Sequence, residues 1–186
     1  MDIIDNVLPE KEFGGLQSYM MGDDCPWFYQ EDGTLSHLFY SAKGQLPRED
    51  EEICAATAVI LDPIMVKLGV IKPYKVEGYF KGGISNYDKD VKTVKDIGMV
   101  KDTYISGRSS INTNNDDKIA VFFVNTNDGY LEFEDGTKVP SIENSMVVFG
   151  SDVNYRTVEV NDSSRRVAIN FIYQAQDFKV IKVKKD

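Results

Sequence analysis

Apolar positions are densest between Lys118 and Tyr173, where short runs of strand-forming residues are separated by turn residues. Ile119 to Val124 (IAVFFV) is wholly apolar and mostly β-branched or aromatic, which suits a strand covered on both faces. Tyr130 to Glu134 alternates, with Tyr130, Glu132 and Glu134 on one face and Leu131 and Phe133 on the other. Asp135-Gly136 comes next and leads into Lys138-Val139; this dipeptide readily adopts the positive φ angles of a tight hairpin. Met146 to Phe149 and Arg166 to Tyr173 supply two further strands. Short strands with turn signals about every eight to twelve residues predict a sandwich or a barrel.

Upstream, the pattern mixes helical and strand periods. Met1 to Val7 reads as a short first strand, and Pro9 to Met21 as a helix with proline in its first turn. Phe13, Leu16, Tyr19 and Met20 recur at amphipathic spacing, and Gly22 is placed to stop the helix. Gly14-Gly15 weakens it by roughly 1 kcal/mol per glycine relative to alanine. Trp27 to Tyr29 and Leu38 to Tyr40 flank Glu31-Asp32-Gly33 as two strands of a hairpin. Arg48 to Leu61 predicts a second helix, acidic in its first turn, with Ile53, Thr57, Ile60 and Leu61 at core spacing. Asp62-Pro63 is expected to break or kink it, and Ile64 to Leu68 to add a last turn before Gly69. Tyr74 to Lys81 reads as a strand. Gly82 to Asp117 is rich in Gly, Asn, Asp, Ser and Lys, with short strands expected at Val91 to Lys95 and Lys101 to Ser106. A loop this long inside a compact domain is usually functional or mobile.

The length of 186 residues fits one domain, 1–186, with 82–117 as a long insertion or loop. A formal net charge of -9 opposes binding to a polyanion and argues against nucleic acid as a partner. The acidic run Glu49 to Glu52 and the basic tail Lys179, Lys182, Lys184 and Lys185 read as solvated faces. Cys25 and Cys54 lack metal-ligand spacing, and no apolar run reaches the length of a membrane span. The chain therefore reads as soluble and intracellular, with both thiols free and buried.

The run NTNDGYLEFEDGTKVPSIENSMVVFGSDVNYR, Asn125 to Arg156, followed by RRVAINFIY, Arg165 to Tyr173, resembles the prolyl-hydroxylase-like iron(II)/2-oxoglutarate-dependent oxygenases of tailed phages. The resemblance implies a mainly β fold with flanking helices: a double-stranded β-helix, the jelly-roll barrel of cupins, with two N-terminal support helices. It also implies a protein made in the cytoplasm of an infected host. The strand Tyr74 to Lys81 would enter the barrel and make Lys75, Glu77 and Tyr79 candidates on one face.

Iron chemistry in this family needs two histidines and one carboxylate on one face of the metal, leaving three positions for 2-oxoglutarate and oxygen. The His-x-Asp pair of the resemblance falls on Ser110 and Asn112, or on Asn112 and Asn114. The distal histidine falls on Tyr155, and a neutral phenol is a weak ligand for Fe(II). Only the 2-oxoglutarate-binding arginine survives, at Arg166, with Arg165 as its neighbour if the register slips and Arg156 as a further cation for an anion site. The single histidine, His37 in SHLFY, reads as a structural residue of an aromatic strand. Asp116-Asp117 reads as a solvated acidic turn rather than a Mg(II) or Ca(II) site. Arg166 has an equally weighted structural reading, pairing with Glu132 or Glu159 at the barrel mouth.

The resulting expectation is a non-catalytic oxygenase-fold protein with no cofactor, retained as a phage structural or protein-binding scaffold. Its partners would be virion components or a host protein, with no nucleic acid and no membrane. Two alternatives stand beside it: an active dioxygenase using Fe(II) and 2-oxoglutarate, and a jelly-roll module that binds a small anion or a sugar.

Overall fold

The structure, a computed structural model, describes residues 1–29, 35–41, 61–70, 73, 75–81, 105–106, 117–158 and 165–174. In chain order these form β1 (Asp2–Ile4), α1 (Glu10–Met21), β2 (Phe28–Tyr29), β3 (Leu35–Ser41), α2 (residues 61–68) and β4 (Lys75–Lys81). They continue with β5 (Ile105–Ser106), β6 (Asp117–Phe123), β7 (Tyr130–Phe133), β8 (Lys138–Pro140), β9 (Ser145–Gly150), β10 (Asn154–Val158) and β11 (Arg166–Gln174).

Two antiparallel sheets face each other as a jelly roll. The larger runs β1-β9-β6-β11-β4-β3-β2 and the smaller β5-β10-β7-β8. Alternation along the strands of the larger sheet divides the apolar residues into two cores. Ile119, Val121, Phe123, Val147, Phe149, Ala168 and Ile172 point toward the smaller sheet, where they meet Leu131, Phe133 and Val139. Ala120, Phe122, Met146, Val167, Ile169 and Phe171 point the other way, under the helices.

α1 buries Phe13, Leu16 and Met20 on that outer core, and the first-turn acids Glu10 and Glu12 suit its N-terminal dipole. Its start is tied to the barrel by Asn144, whose Oδ1 accepts the Leu8 N–H at 2.9 Å and whose Nδ2 donates to the Leu8 carbonyl at 2.9 Å. Asn144 sits at φ +55°, a conformation that asparagine tolerates better than most residues. α2 is helical through Asp62-Pro63 within residues 61–68, while the helix that this dipeptide was expected to break or kink lies before Leu61, outside the described residues. Leu61 and Ile64, three residues apart, are both buried in the outer core, on one face of the helix. α2 ends as expected at Gly69, φ +66°, with the Gly69 N–H on the Val66 carbonyl and the Val70 N–H on the Met65 carbonyl.

The Asp135-Gly136 hairpin forms as expected. Gly136 has φ +85° and donates to the Phe133 carbonyl at 2.9 Å, while Asp135 Oδ1 accepts the Thr137 N–H at 2.8 Å. Lys101 to Ser106 contributes β5, two residues paired with Asn154 and Tyr155 of β10. The expected strand Val91 to Lys95, most of the helix Arg48 to Leu61, the turn Glu31-Asp32-Gly33 and Cys54 lie outside the described residues. Cys25 is a buried free thiol, and burial pushes its pKa up to about 12.

Two glycines should respond in opposite ways. A Cβ on Gly15 would meet nothing within 4 Å, so Gly15→Ala should stabilise the protein by about 0.5–1 kcal/mol through its helix propensity. A Cβ on Gly78 would lie 3.0 Å from both Met20 Cε and Phe39 Cε2, so Gly78→Ala should destabilise by roughly 1–3 kcal/mol. Urea denaturation of the two variants checks both signs.

Candidate functional site

β11 lies between β6 and β4 and is paired along its length with both. Val167, Ile169, Phe171 and Tyr173 belong to the outer core, whereas Ala168 and Ile172 face the smaller sheet. Strand alternation therefore places Arg166 and Asn170 between the sheets as well. Directly opposite residues share a face, so Lys75, Glu77 and Tyr79 of β4, opposite Ile172, Asn170 and Ala168, line the same interior. From the smaller sheet, Tyr155 of β10 packs on the inner core.

Arg166 is the unusual member of this set. It is 6% exposed, and its Nε and Nη1 have no hydrogen-bond partner among the described residues. The guanidinium lies 5.9 Å from the Phe123 ring centroid, a cation–π contact that offsets only part of the lost hydration. Burial pushes its pKa down to about 10, leaving it charged at neutral pH. Removing one partner from a buried ion pair costs about 3–5 kcal/mol, mostly because the remaining charge is left uncompensated.

The backbone on both sides of Arg166 is clasped by one side chain. Asn125 Oδ1 accepts the Val167 N–H at 2.8 Å, and its Nδ2 donates to the Arg165 carbonyl. Val124 N–H adds a bond to the Val167 carbonyl at 3.0 Å. This positioning role of Asn125 was not drawn from the sequence, although a polar residue directly after a wholly apolar strand was a usable signal.

Tyr155 sits against Phe149 (ring centroids 5.0 Å apart) and Phe133 (6.2 Å). Burial raises its pKa, and the Arg166 charge acts the other way, so the two groups are close enough to interact and the phenol is neutral at physiological pH. On β4, Glu77 pairs with Lys75 and accepts a hydrogen bond from the Tyr79 hydroxyl.

The three arginines of the expected anion site separate. Arg166 is interior, while Arg165 is exposed, with its guanidinium 5.7 Å from the Phe80 ring. Arg156 points to the outer face of the smaller sheet, where its Nε donates to Glu132 Oε2 at 2.6 Å and Lys138 lies 3.6 Å from the same carboxylate. The hydrogen bond from Arg156 holds the Glu132 carboxyl below its ordinary pKa. The expected pairing of Arg166 with Glu132 is thus corrected, because Glu132 lies on the other face of its strand from Leu131 and Phe133. Ser110, Asn112, Asn114, Asp116 and Glu159 lie outside the described residues. Asp117 is not a solvated turn residue; β6 begins two residues earlier than expected and buries it at 1% exposure.

His37 is on the outer side of the larger sheet, across from Gly78, with its ring against Phe28 and Phe39. Its Nδ1 lies 2.7 Å from the Pro26 carbonyl, so the neutral ring carries its proton there. An iron centre with two histidines and one carboxylate does not fit these residues. The chain contains one histidine, it faces away from Tyr155 and Arg166, and Tyr155 offers a partly buried, neutral phenol. Among the described residues no three His, Cys, Asp or Glu side chains are grouped to hold a metal.

No family model and no curated protein sequence matches the chain. Solved structures do resemble it in fold. A Pseudomonas putida prolyl-4-hydroxylase aligns with TM-score 0.54 and 13% identity over 93% of this chain and 91% of its own. A 2OG-Fe(II) oxygenase family oxidoreductase from Burkholderia pseudomallei gives TM-score 0.60 and 10% identity over 94% and 84%. A Trichoplax adhaerens prolyl hydroxylase, in complex with a hypoxia inducible factor oxygen degradation domain peptide, gives 0.53 and 13% over 94% and 83%. At these identities the likeness is one of fold: a jelly roll of the 2-oxoglutarate oxygenase type. No helix among the described residues is long and apolar enough to cross a membrane.

His37 also predicts an acid response. Burial is the larger influence on its pKa and lowers it, partly offset by the Pro26 carbonyl, so the unfolded chain binds the proton more readily. The stability that His37 contributes is therefore complete above the unfolded pKa of about 6.5 and is lost as pH falls from there toward the lower folded value. Urea midpoints at pH 7 and pH 5 should differ less in His37→Asn than in the wild type.

Proposed function

We propose that this chain is an oxygenase-fold protein that works without iron, its barrel serving as a binding scaffold for a small anion held by Arg166. The observation that carries this reading is the buried guanidinium of Arg166, whose Nε and Nη1 have no hydrogen-bond partner among the described residues. A bound anion supplies the missing charge, and the planar guanidinium offers the forked donors that suit a carboxylate. The donors that hold Fe(II) elsewhere are replaced, so the scaffold binds rather than oxidises.

The competing reading, an active Fe(II)/2-oxoglutarate dioxygenase with Arg166 anchoring the cosubstrate, is favoured by the fold likeness alone. Incubation of purified protein with Fe(II), ascorbate and 2-oxoglutarate separates the two. No stoichiometric iron binding and no succinate above a protein-free control are expected. Stoichiometric iron with succinate formation that disappears in Arg166→Met would overturn the proposal.

Contact with another protein, a virion component or a host protein, is a second use of the same scaffold. It is favoured by β1, at one end of the larger sheet's strand order, which leaves Met1 and Ile3 more than half exposed at 57% and 54%. If that edge is a contact surface, Ile3→Lys should abolish association measured by sedimentation while leaving the melting temperature unchanged. An unaltered sedimentation profile would remove β1 from consideration.

A further inference from the structure

At the edge of the larger sheet farthest from β1, one imidazole is buried in a setting that accepts only its neutral form, an observation independent of the anion-binding reading. His37 is 2% exposed, its ring 4.5 Å from that of Phe39 and stacked on Phe28 at 6.2 Å. The Nδ1 proton goes to the Pro26 carbonyl, and Nε2 is buried with no hydrogen-bond partner among the described residues. A proton taken up at Nε2 would create a buried cation whose new N–H has no acceptor, and both the charge and the donor would go unsolvated.

No carboxylate among the described residues offsets that cost. The elements around the ring bring uncharged groups: Phe28 from β2, the Pro26 carbonyl from the connection before it, Phe39 from β3 and Gly78 from β4. Glu77 and Tyr79, on either side of Gly78, alternate toward the barrel interior, where they bond to each other. Asp23 and Asp24 are exposed, and the buried Cys25 thiol keeps its proton, its pKa pushed up to about 12. Glu31 and Asp32 lie outside the described residues.

The least costly relief is local. β2 is the terminal strand of the sheet and is held by two register pairs, Phe28 with Ser36 and Tyr29 with Leu35, whereas β3 is paired with β4 at six positions. Phe28 is already 45% exposed at this rim. Lifting β2 opens the His37 ring to water and leaves the β3–β4 pairing and the two cores in place. Trp27, next to Phe28 in the chain, packs on Phe80 at 5.5 Å between ring centroids and so reports whether this edge is closed.

We propose that His37 is an acid-operated latch: its protonation releases β2 from the sheet edge and uncovers the aromatic cluster of Trp27, Phe28, His37 and Phe39, while the barrel stays folded. The released form binds the proton more readily than the closed form. Opening is therefore favoured as pH falls below about 6.5, the ordinary histidine value, and its equilibrium constant grows at most about tenfold per pH unit.

The single tryptophan and single histidine make the test direct. The full chain is followed from pH 8 to pH 5 by Trp27 fluorescence, by NMR of the His37 ring and by far-UV circular dichroism, with amide hydrogen exchange at residues 23–29 and 35–41. Trp27 emission should move to longer wavelength together with the histidine titration, at a midpoint below about 6.5. Exchange at residues 23–29, corrected for its intrinsic pH dependence, should accelerate by up to about tenfold per pH unit. Dichroism and exchange in β6 and β11 should stay constant. His37→Asn keeps a donor for the Pro26 carbonyl and takes up no proton, so its emission and corrected exchange should be flat across the range. Phe28→Ala, which thins the cover over the ring, should raise the midpoint; if His37→Asn fails to fold, this variant decides. An emission shift that His37→Asn retains, or one that arrives together with loss of dichroism, would overturn the latch. So would unchanged emission and exchange in the wild type, or an unmoved midpoint in Phe28→Ala.

Discussion

The register of β11 is the constraint on which the rest of the structure depends. This strand is bonded on both sides, to β6 and to β4, and its alternating residues feed two different cores. A slip of one residue would turn Arg166 into the apolar layer beneath the helices and bring Val167 into the interior, reversing the chemistry of both faces. Asn125 guards against that slip at the strand's first residues, because both halves of its amide are spent on the backbone flanking Arg166. One side chain thus closes the strand pair and fixes the origin of the guanidinium.

The two faces of the larger sheet are built for different purposes. The outer face is sealed by α1 and α2, and close approach is needed there: Gly78 leaves room for Met20, Phe39 and Trp27 to meet over the strand. Asn144 ties the start of α1 back to the barrel, so the helix moves with the sheet rather than on a tether. The inner face combines an apolar wall from both sheets with the polar residues Arg166, Asn170, Lys75, Glu77 and Tyr79. Such a division keeps most of the helix-packing contacts away from the interior polar set, which can change without loss of the fold.

Much of this was legible in the sequence, for physical reasons that differ between elements. β6, β7 and β11 declared themselves because their faces see different surroundings, which imposes a period of two or a continuous apolar run. The Asp135-Gly136 hairpin was legible because few residues accept φ +85° as glycine does at position 136. β10 escaped, since every one of its residues is partly exposed or fully so and no alternation marks it. β5 falls within the strand expected at Lys101 to Ser106, although two residues carry too little period to fix its bounds. Tyr155 and Arg166 were singled out in the sequence by a resemblance alone, and strand faces decide their neighbours. Glu132 was a plausible partner for Arg166 in sequence terms, and only the alternation of β7 shows it facing Arg156 instead.

A buried charge with no acceptor on its Nε and Nη1 among the described residues demands a physical reason. A guanidinium keeps its proton at any physiological pH, so it cannot escape burial by neutralising as a lysine can. Replacing it with an apolar residue of similar volume would ordinarily be neutral or stabilising. Lys75 and Glu77 illustrate the usual resolution, a cation and an anion brought together on one strand, and Arg156 with Glu132 repeats it across two strands. Arg166 is held just as firmly, by the Asn125 clasp, yet points its donors where the described chain supplies no acceptor. Rigid placement of an unsatisfied donor describes a prepared binding site better than a structural ion pair, since a group meant only to fill space needs neither the charge nor the clasp. In the anion-binding reading proposed for Arg166, the free energy that the folded chain forgoes by leaving these donors open is what a ligand would recover on entering.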